Sequence, residues 1–178
     1  MLSFRMIVIV FGVSGAGKTT IGQHLARNLG WNFYEADDFH SPANIEKMHA
    51  GYPLTDQDRQ PWIQSLRQLI ERSLETKQNA ILACSALRKL YRQQLRLNDE
   101  VLFVYLHGSS ELIAKQIQQR PGHFMNPKLL ESQFATLEEP GLEDGTIVIE
   151  LGRPPQELVK EIKTKLSAPI QKTRGNTP

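Results

Sequence analysis

Continuous apolar runs at 6–11, 79–84 and 101–106, with weaker ones at 32–35 and 146–150, divide the chain into alternating segments. Runs of this length without polar alternation predict strands buried on both faces. Between them the apolar residues recur at helical spacing. Ile21, Leu25 and Leu29 form one stripe, with Gly30 placed as a C-cap. Trp62, Leu66, Leu69, Ile70 and Leu74 form a second, with Pro61 suited to its first turn. Leu87, Leu90, Tyr91 and Leu95 give a third stripe, and Leu112, Ile113, Gln116 and Ile117 a less complete fourth. Asn126-Pro127 reads as cap and first position of a helix with Leu130, Phe134 and Leu137 inward. A last helix opens at Pro154-Pro155 and buries Leu158, Ile162 and Leu166. Strands alternating with helices predict an α/β fold with a mostly parallel sheet covered on both faces. The pattern holds over 1–166 as one domain, while 167–178 is polar, aperiodic and expected to be disordered.

Composition narrows this picture without redirecting it. At 178 residues, 40% hydrophobic and 22% charged, the chain has the make-up of a soluble globular domain. No run reaches the roughly 20 apolar residues of a membrane helix, and Met1–Arg5 is too short for a signal peptide, so a cytoplasmic protein without a membrane partner is expected. A net charge of +2, with much of the excess on the last helix and tail, gives no basis for nucleic-acid binding. Cys84 is the single cysteine and reads as core, which rules out an internal disulfide or a multi-cysteine metal site.

The candidate chemistry begins where the first strand ends. Gly12-Val13-Ser14-Gly15-Ala16-Gly17-Lys18-Thr19 fits the phosphate-loop pattern G-x-x-x-x-G-K-[ST], between a strand and an amphipathic helix. Glycines permit positive φ, so successive backbone N–H groups can turn toward phosphate oxygens, and the following helix adds its positive dipole end. Lys18 is suited to bridge the outer phosphates and the Thr19 hydroxyl to ligate Mg²⁺, with Thr20 adjacent. This segment predicts binding of a nucleoside triphosphate.

What the nucleotide serves follows from the other motifs. Neither N-K-x-D nor D-x-x-G occurs, which excludes a GTPase switch. The strand Ala80–Cys84 ends in Ser85-Ala86 instead of the acidic residues of a motor-type ATPase. The acidic stretch Glu35-Ala36-Asp37-Asp38 lies one helix beyond the loop, where small phosphate-loop kinases hold their acceptor. Transfer to a small molecule is therefore favoured over hydrolysis coupled to motion.

Five further segments are more restrictive than the loop: Asp37-Asp38-Phe39-His40; Pro53-Leu54-Thr55-Asp56-Gln57-Asp58-Arg59-Gln60-Pro61-Trp62; Cys84-Ser85-Ala86-Leu87-Arg88-Lys89-Leu90-Tyr91-Arg92; Gly122-His123-Phe124; and Gln133-Phe134-Ala135-Thr136-Leu137-Glu138-Glu139-Pro140. Together they resemble the gluconokinase family from about Ile7 to Ile162. The resemblance implies a nucleoside-monophosphate-kinase-like three-layer sandwich, with a five-stranded parallel sheet in order 2-3-1-4-5 and a mobile lid at about 120–138. It also implies ATP and Mg²⁺, D-gluconate as acceptor, 6-phosphogluconate as product and a homodimer. Two alternatives stand beside it. One is a kinase of this fold acting on shikimate, a nucleotide or another sugar acid; the other is a regulator that holds ATP without using it.

Within that frame Asp37 is the candidate to orient the acceptor hydroxyl, since phosphoryl transfer depends mainly on positioning. Asp38 is equally readable as a turn cap, and Glu35 as a holder of a Mg²⁺-bound water or a plain strand-end carboxylate. His40 is suited to bond a polyol as a neutral imidazole, although a lone loop histidine needs no such role. A carboxylated acceptor calls for a guanidinium, and Arg59 and Arg88 are both candidates. Arg88, Arg92 and Arg96 share a helix face; Arg96 reads as solvated surface, whereas Arg88 stands nearest the strand's carboxyl end, where ligands bind in open parallel sheets. Arg120 would neutralise the transferring phosphoryl group, His123 would help exclude water, and Gln133 is a candidate contact to the sugar acid. Arg153, in the loop after the last strand, is placed beside adenine.

Overall fold

The computed structural model describes residues 5–119 and 127–168. Its strands are β1 (Ile7–Phe11), β2 (Asn32–Glu35), β3 (Ala80–Cys84), β4 (Val101–His107) and β5 (Ile147–Glu150). They form one parallel sheet in the order β2-β3-β1-β4-β5. β1 lies at the centre, with Ile9 beside Leu82 on one side and Phe103 on the other. All five of its side chains are buried, each worth about 1.5–3 kcal/mol of removal from water. They alternate between two cores: Val8 and Val10 point to one face, and Ile7, Ile9 and Phe11 to the other.

Helices cover both faces. On the Val8 side lie α1 (Lys18–Leu29), α5 (Ser110–Gln118), α6 (Pro127–Thr136) and α7 (Pro155–Ser167), which bring Ile21, Leu25, Ile113, Leu130 and Ile162. On the Phe11 side lie α3 (Asp56–Glu75) and α4 (Lys89–Leu95), which bring Trp62, Ile63, Leu66, Ile70, Tyr91 and Leu95. The expected three-layer α/β/α arrangement and strand order are both present. No helix of the described residues is long and apolar enough to cross a membrane. Cys84 is buried at the end of β3, and burial pushes its thiol up to about 12.

Several elements depart from the sequence-based expectations. Beyond β2 the chain forms a 3-10 turn (Ala36–Phe39) and a further helix, α2 (Pro42–His49), neither of which the apolar spacing announces. The Ser41 side chain caps α2 by accepting from Asn44 N–H, and Pro42 takes the first helical position. Helix α3 starts at Asp56, so Pro61 lies inside it and not in its first turn. The start is fixed by a capping box: Thr55 Oγ1 accepts from Asp58 N–H while Asp58 accepts from Thr55 N–H at 2.7 Å. Leu90, expected inward, faces solvent because α4 begins only at Lys89 and turns Tyr91 and Leu95 to the core. The last helix runs through Ser167, one residue into the segment expected to be disordered.

The Asp58 carboxylate also accepts from Lys47 Nζ at 2.6 Å, tying α2 to α3. Lys47 first, then Thr55, holds its pKa down at about 2. A depressed carboxylate contributes stability above its unfolded value near 4, and that contribution is lost as pH falls from there toward 2. Asp58→Asn is therefore expected to lower the melting temperature at pH 6 and to flatten its fall between roughly pH 4 and 2, as thermal unfolding followed by circular dichroism would show.

Candidate active site

The glycine loop, the acidic turn after β2 and the loop after β3 lie outside the carboxyl ends of β1, β2 and β3, where open parallel sheets bind ligands. The loop between Phe11 and Lys18 owes its shape to its glycines. Gly17 caps α1 with φ 93° and no side-chain partner, so the first N–H groups of the helix remain available at the loop. Gly15 has φ 84°, and a Cβ there would stand 2.5 Å from Ile117 Cγ1 of α5. Only glycine satisfies both constraints. Lys18 curls over the loop, its Nζ donating to Val13 O at 3.0 Å. Thr20 follows on the first turn of α1, partly exposed.

Thr19 and Glu35 are in direct contact: the hydroxyl donates to Glu35 Oε2 at 2.6 Å. Burial raises the Glu35 carboxyl above its ordinary range and Asp37 adds to that, while the Thr19 bond opposes it. Glu35 lines a cleft of ≈ 500 Å³ with Thr19, Gln23, Tyr34, Asp38 and Phe39. A hydroxyl and a carboxylate are hard oxygen donors of the kind Mg²⁺ takes, and two of them leave most of its shell to phosphates and water. Among the described residues no cluster of three or more His, Cys, Asp or Glu could hold a metal ion alone. The donor set thus fits a cation that arrives with a nucleotide.

Beyond Glu35 the 3-10 turn presents Asp37 and Asp38 to solvent; the Asp37 side chain is 73% exposed. His40 is the opposite case, with its side chain only 5% exposed. Its ring stacks on Trp62 with centroids 4.5 Å apart, and Trp62 Nε1 in turn donates to Ala36 O. Desolvation lowers the His40 pKa, and Asp37, 4.0 Å from Nε2, opposes the shift. The imidazole is therefore neutral near pH 7, as its expected role requires. Among the described residues its buried Nδ1 has no hydrogen-bond partner, a condition that costs about 1–3 kcal/mol and favours a polar ligand there.

Arg59 and Arg88, the two candidates for an acceptor carboxylate, converge on a single group. Arg88 Nη1 donates to both Asp56 oxygens at 2.7 and 2.9 Å, Tyr91 donates its hydroxyl to the same carboxylate, and Arg59 Nη1 lies 3.8 Å from it. The tyrosine bond, then Arg88, holds the Asp56 carboxyl below its usual range. This cluster joins the start of α3 to the loop after β3. That loop carries Ala86 at φ 40°, a strained position for a residue with a Cβ. Buried Arg92 braces it by donating to Ala86 O and Leu87 O, with its guanidinium over the Phe11 ring. Arg96 is exposed as expected, although it lies over Phe103 and donates to Asp144 O.

Two expected contacts point elsewhere. Gln133 on α6 reaches the glycine loop: Ser14 N–H donates to Oε1 at 2.7 Å, and Nε2 donates to Ser14 Oγ at 2.9 Å. Each end of the amide that was expected to contact a sugar acid thus makes one bond to Ser14. The Arg153 side chain turns onto Glu161 of α7 and donates to Glu150 O. Arg120, His123 and Asn126, the cap expected for α6, lie outside the described residues, as do Pro121-Gly122 and residues 169–178.

The family model of shikimate kinase matches residues 14–167. A gluconokinase of Gluconobacter oxydans is 44% identical over 156 residues, covering 87% of this chain and 88% of that protein. The chain belongs to the gluconokinase family. The crystal structure of a gluconokinase from Sinorhizobium meliloti superimposes on this gluconokinase-family chain with a TM-score of 0.84 at 39% identity, covering 92% of each. A shikimate kinase from Aquifex aeolicus, 19% identical with a TM-score of 0.58 over 90% of this chain and 96% of its own, shares the fold alone. Within this gluconokinase-family site, reading of the sequence missed Asp56 and Tyr91. Asp56 stood in the quoted P-L-x-D-x-D-R segment; its pairing with Tyr91, 35 positions away, has no local signal.

Proposed function

We propose that the protein is a gluconokinase, which transfers the γ-phosphoryl group of ATP to the 6-hydroxyl of D-gluconate. The observation that carries this reading is the Thr19–Glu35 bond, which joins the phosphate loop to the strand whose next turn bears Asp37. Loop N–H groups from Gly12 to Thr19, with Lys18, cradle the phosphates, while Thr19 and Glu35 would hold Mg²⁺, which would supply positive charge against the phosphate oxygens. Asp37 accepts the hydrogen bond of the acceptor hydroxyl. That oxygen forms its bond to γ-phosphorus as the bond to the departing ADP oxygen breaks, and the proton leaves toward the carboxylate. His40 takes a polyol hydroxyl at its unpartnered face. Arg88, with Arg59 beside it, takes the acceptor carboxylate; Asp56 and Tyr91 hold the pair in place until then. Arg120 would neutralise charge on the transferring phosphoryl group, and His123 would help exclude water.

A coupled ADP-release screen over gluconate, epimeric sugar acids, shikimate and nucleoside monophosphates tests the acceptor. Turnover should be confined to sugar acids with gluconate preferred; turnover on shikimate or a nucleotide alone would overturn the assignment. In the same assay Arg88→Gln is expected to raise KM for gluconate by roughly tenfold with kcat changed less than about twofold, since a charge-assisted hydrogen bond is worth about 1.5–3 kcal/mol. An unchanged KM would transfer that task to Arg59.

A further inference from the structure

We propose that Gln133 sets the Ser14 hydroxyl as a hydrogen-bond donor to the terminal phosphoryl group of bound ATP, and is thereby a positioning residue for transfer. The inference rests on the ATP-binding part of the reading above and needs nothing of the acceptor.

It follows from what each atom is able to do. The Ser14 main-chain N–H is a donor and nothing else, so the Gln133 atom facing it at 2.7 Å must be the carbonyl Oε1. That choice fixes the other end of the amide: Nε2, a pure donor, faces Ser14 Oγ at 2.9 Å. The hydroxyl oxygen therefore accepts from Gln133 and must donate its own hydrogen in another direction. A serine hydroxyl left to itself rotates to suit any neighbour; here one lone pair is already claimed and the rotor is restricted. The residue that restricts it comes from 119 positions away, on α6.

The position of Ser14 says which phosphate it meets. The first half of the loop lies beside the end of β3, where Gly12 N–H meets Ser85 O at 3.4 Å. The second half runs into the N-terminus of α1. Inner phosphates held over that helix end put the terminal group toward the first half, the side that carries the Arg88 loop. Chain after α6 continues to the same side: Glu138 accepts from Lys89 N–H at 2.5 Å, and Glu138 N–H donates to Leu87 O at 2.9 Å. Gln133 thus approaches the loop from an element anchored at the acceptor edge, and Ser14 is the loop residue it adjusts.

Affinities of the full-length protein for ADP and for a non-hydrolysable ATP analogue, measured by calorimetry with Mg²⁺ and without acceptor, test this. Ser14→Ala and Gln133→Leu should each weaken the ATP analogue by about tenfold and ADP by less than about twofold, the loss expected of one hydrogen bond to a charged group. The double variant should discriminate between the nucleotides no worse than the poorer single one, because both changes remove the same donor. Equal weakening of ADP and the ATP analogue would overturn the proposal and reduce the pair to a brace for the loop. Unchanged ATP affinity, or additive losses, would overturn it as well. If Gln133→Leu does not fold, Ser14→Ala, which deletes one hydroxyl, decides alone. Failure here with gluconate still phosphorylated would leave the acceptor assignment standing.

Discussion

Lys18→Ala is expected to lower kcat by about three orders of magnitude or more while the protein remains folded. The ammonium reaches Val13 O across the loop, and in the proposed mechanism it stays with the γ-phosphoryl group as its bond to ADP lengthens. Alanine removes a charge that matters most in the transition state, so kcat should fall together with kcat/KM. Alanine has the highest helix propensity and Lys18 is the first residue of α1, so the helix itself has no reason to fail. Loss of the Val13 bond should cost about 1 kcal/mol, a shift of a few degrees in melting temperature. Single-turnover kinetics and calorimetry on one preparation check both halves. An unchanged kcat would remove the phosphate loop from the mechanism.

Asp37→Asn should depress kcat by about 10²- to 10³-fold and leave ATP affinity within about twofold. Asparagine keeps the shape of the side chain and one acceptor oxygen, but loses the charge that draws the hydroxyl proton and presents an amide hydrogen in its place. The substitution lies on an exposed side chain of the 3-10 turn and not on the loop, so nucleotide binding has little to lose. Its electrostatic effect falls on His40, which loses the one neighbour raising its pKa and so stays neutral, and on Glu35, which loses one of the charges raising its own. A loss restricted to ATP binding would show that Asp37 does not face the acceptor.

The sheet was legible because buried parallel strands need uninterrupted apolar runs, and β1, β3 and β4 supply them. The phosphate loop was legible because Gly15 and Gly17 stand where only glycine fits. The helix after β2 was missed for a different reason. Eight residues with one buried side chain, Asn44, leave no apolar stripe to detect, although Ser41-Pro42 marked the start. The beginning of α3 was likewise written in Thr55 and Asp58 as a capping box and overlooked in favour of Pro61. Site chemistry divided along similar lines. Thr19 and Glu35 were each readable as holders of one Mg²⁺, but their direct bond has no local signal. Gln133 could not, since its partner Ser14 is set by how α6 docks, which no local spacing encodes.

The lone thiol at the end of β3 also gives the molecule an internal timekeeper. Alkylating reagents attack thiolates, and a group held near 12 supplies almost none at neutral pH. Modification must then await separation of the strands around it, so the rate of labelling in the unaltered chain measures how often the central layer opens. Reactive handles introduced at the surface for optical probes would be labelled without competition from within.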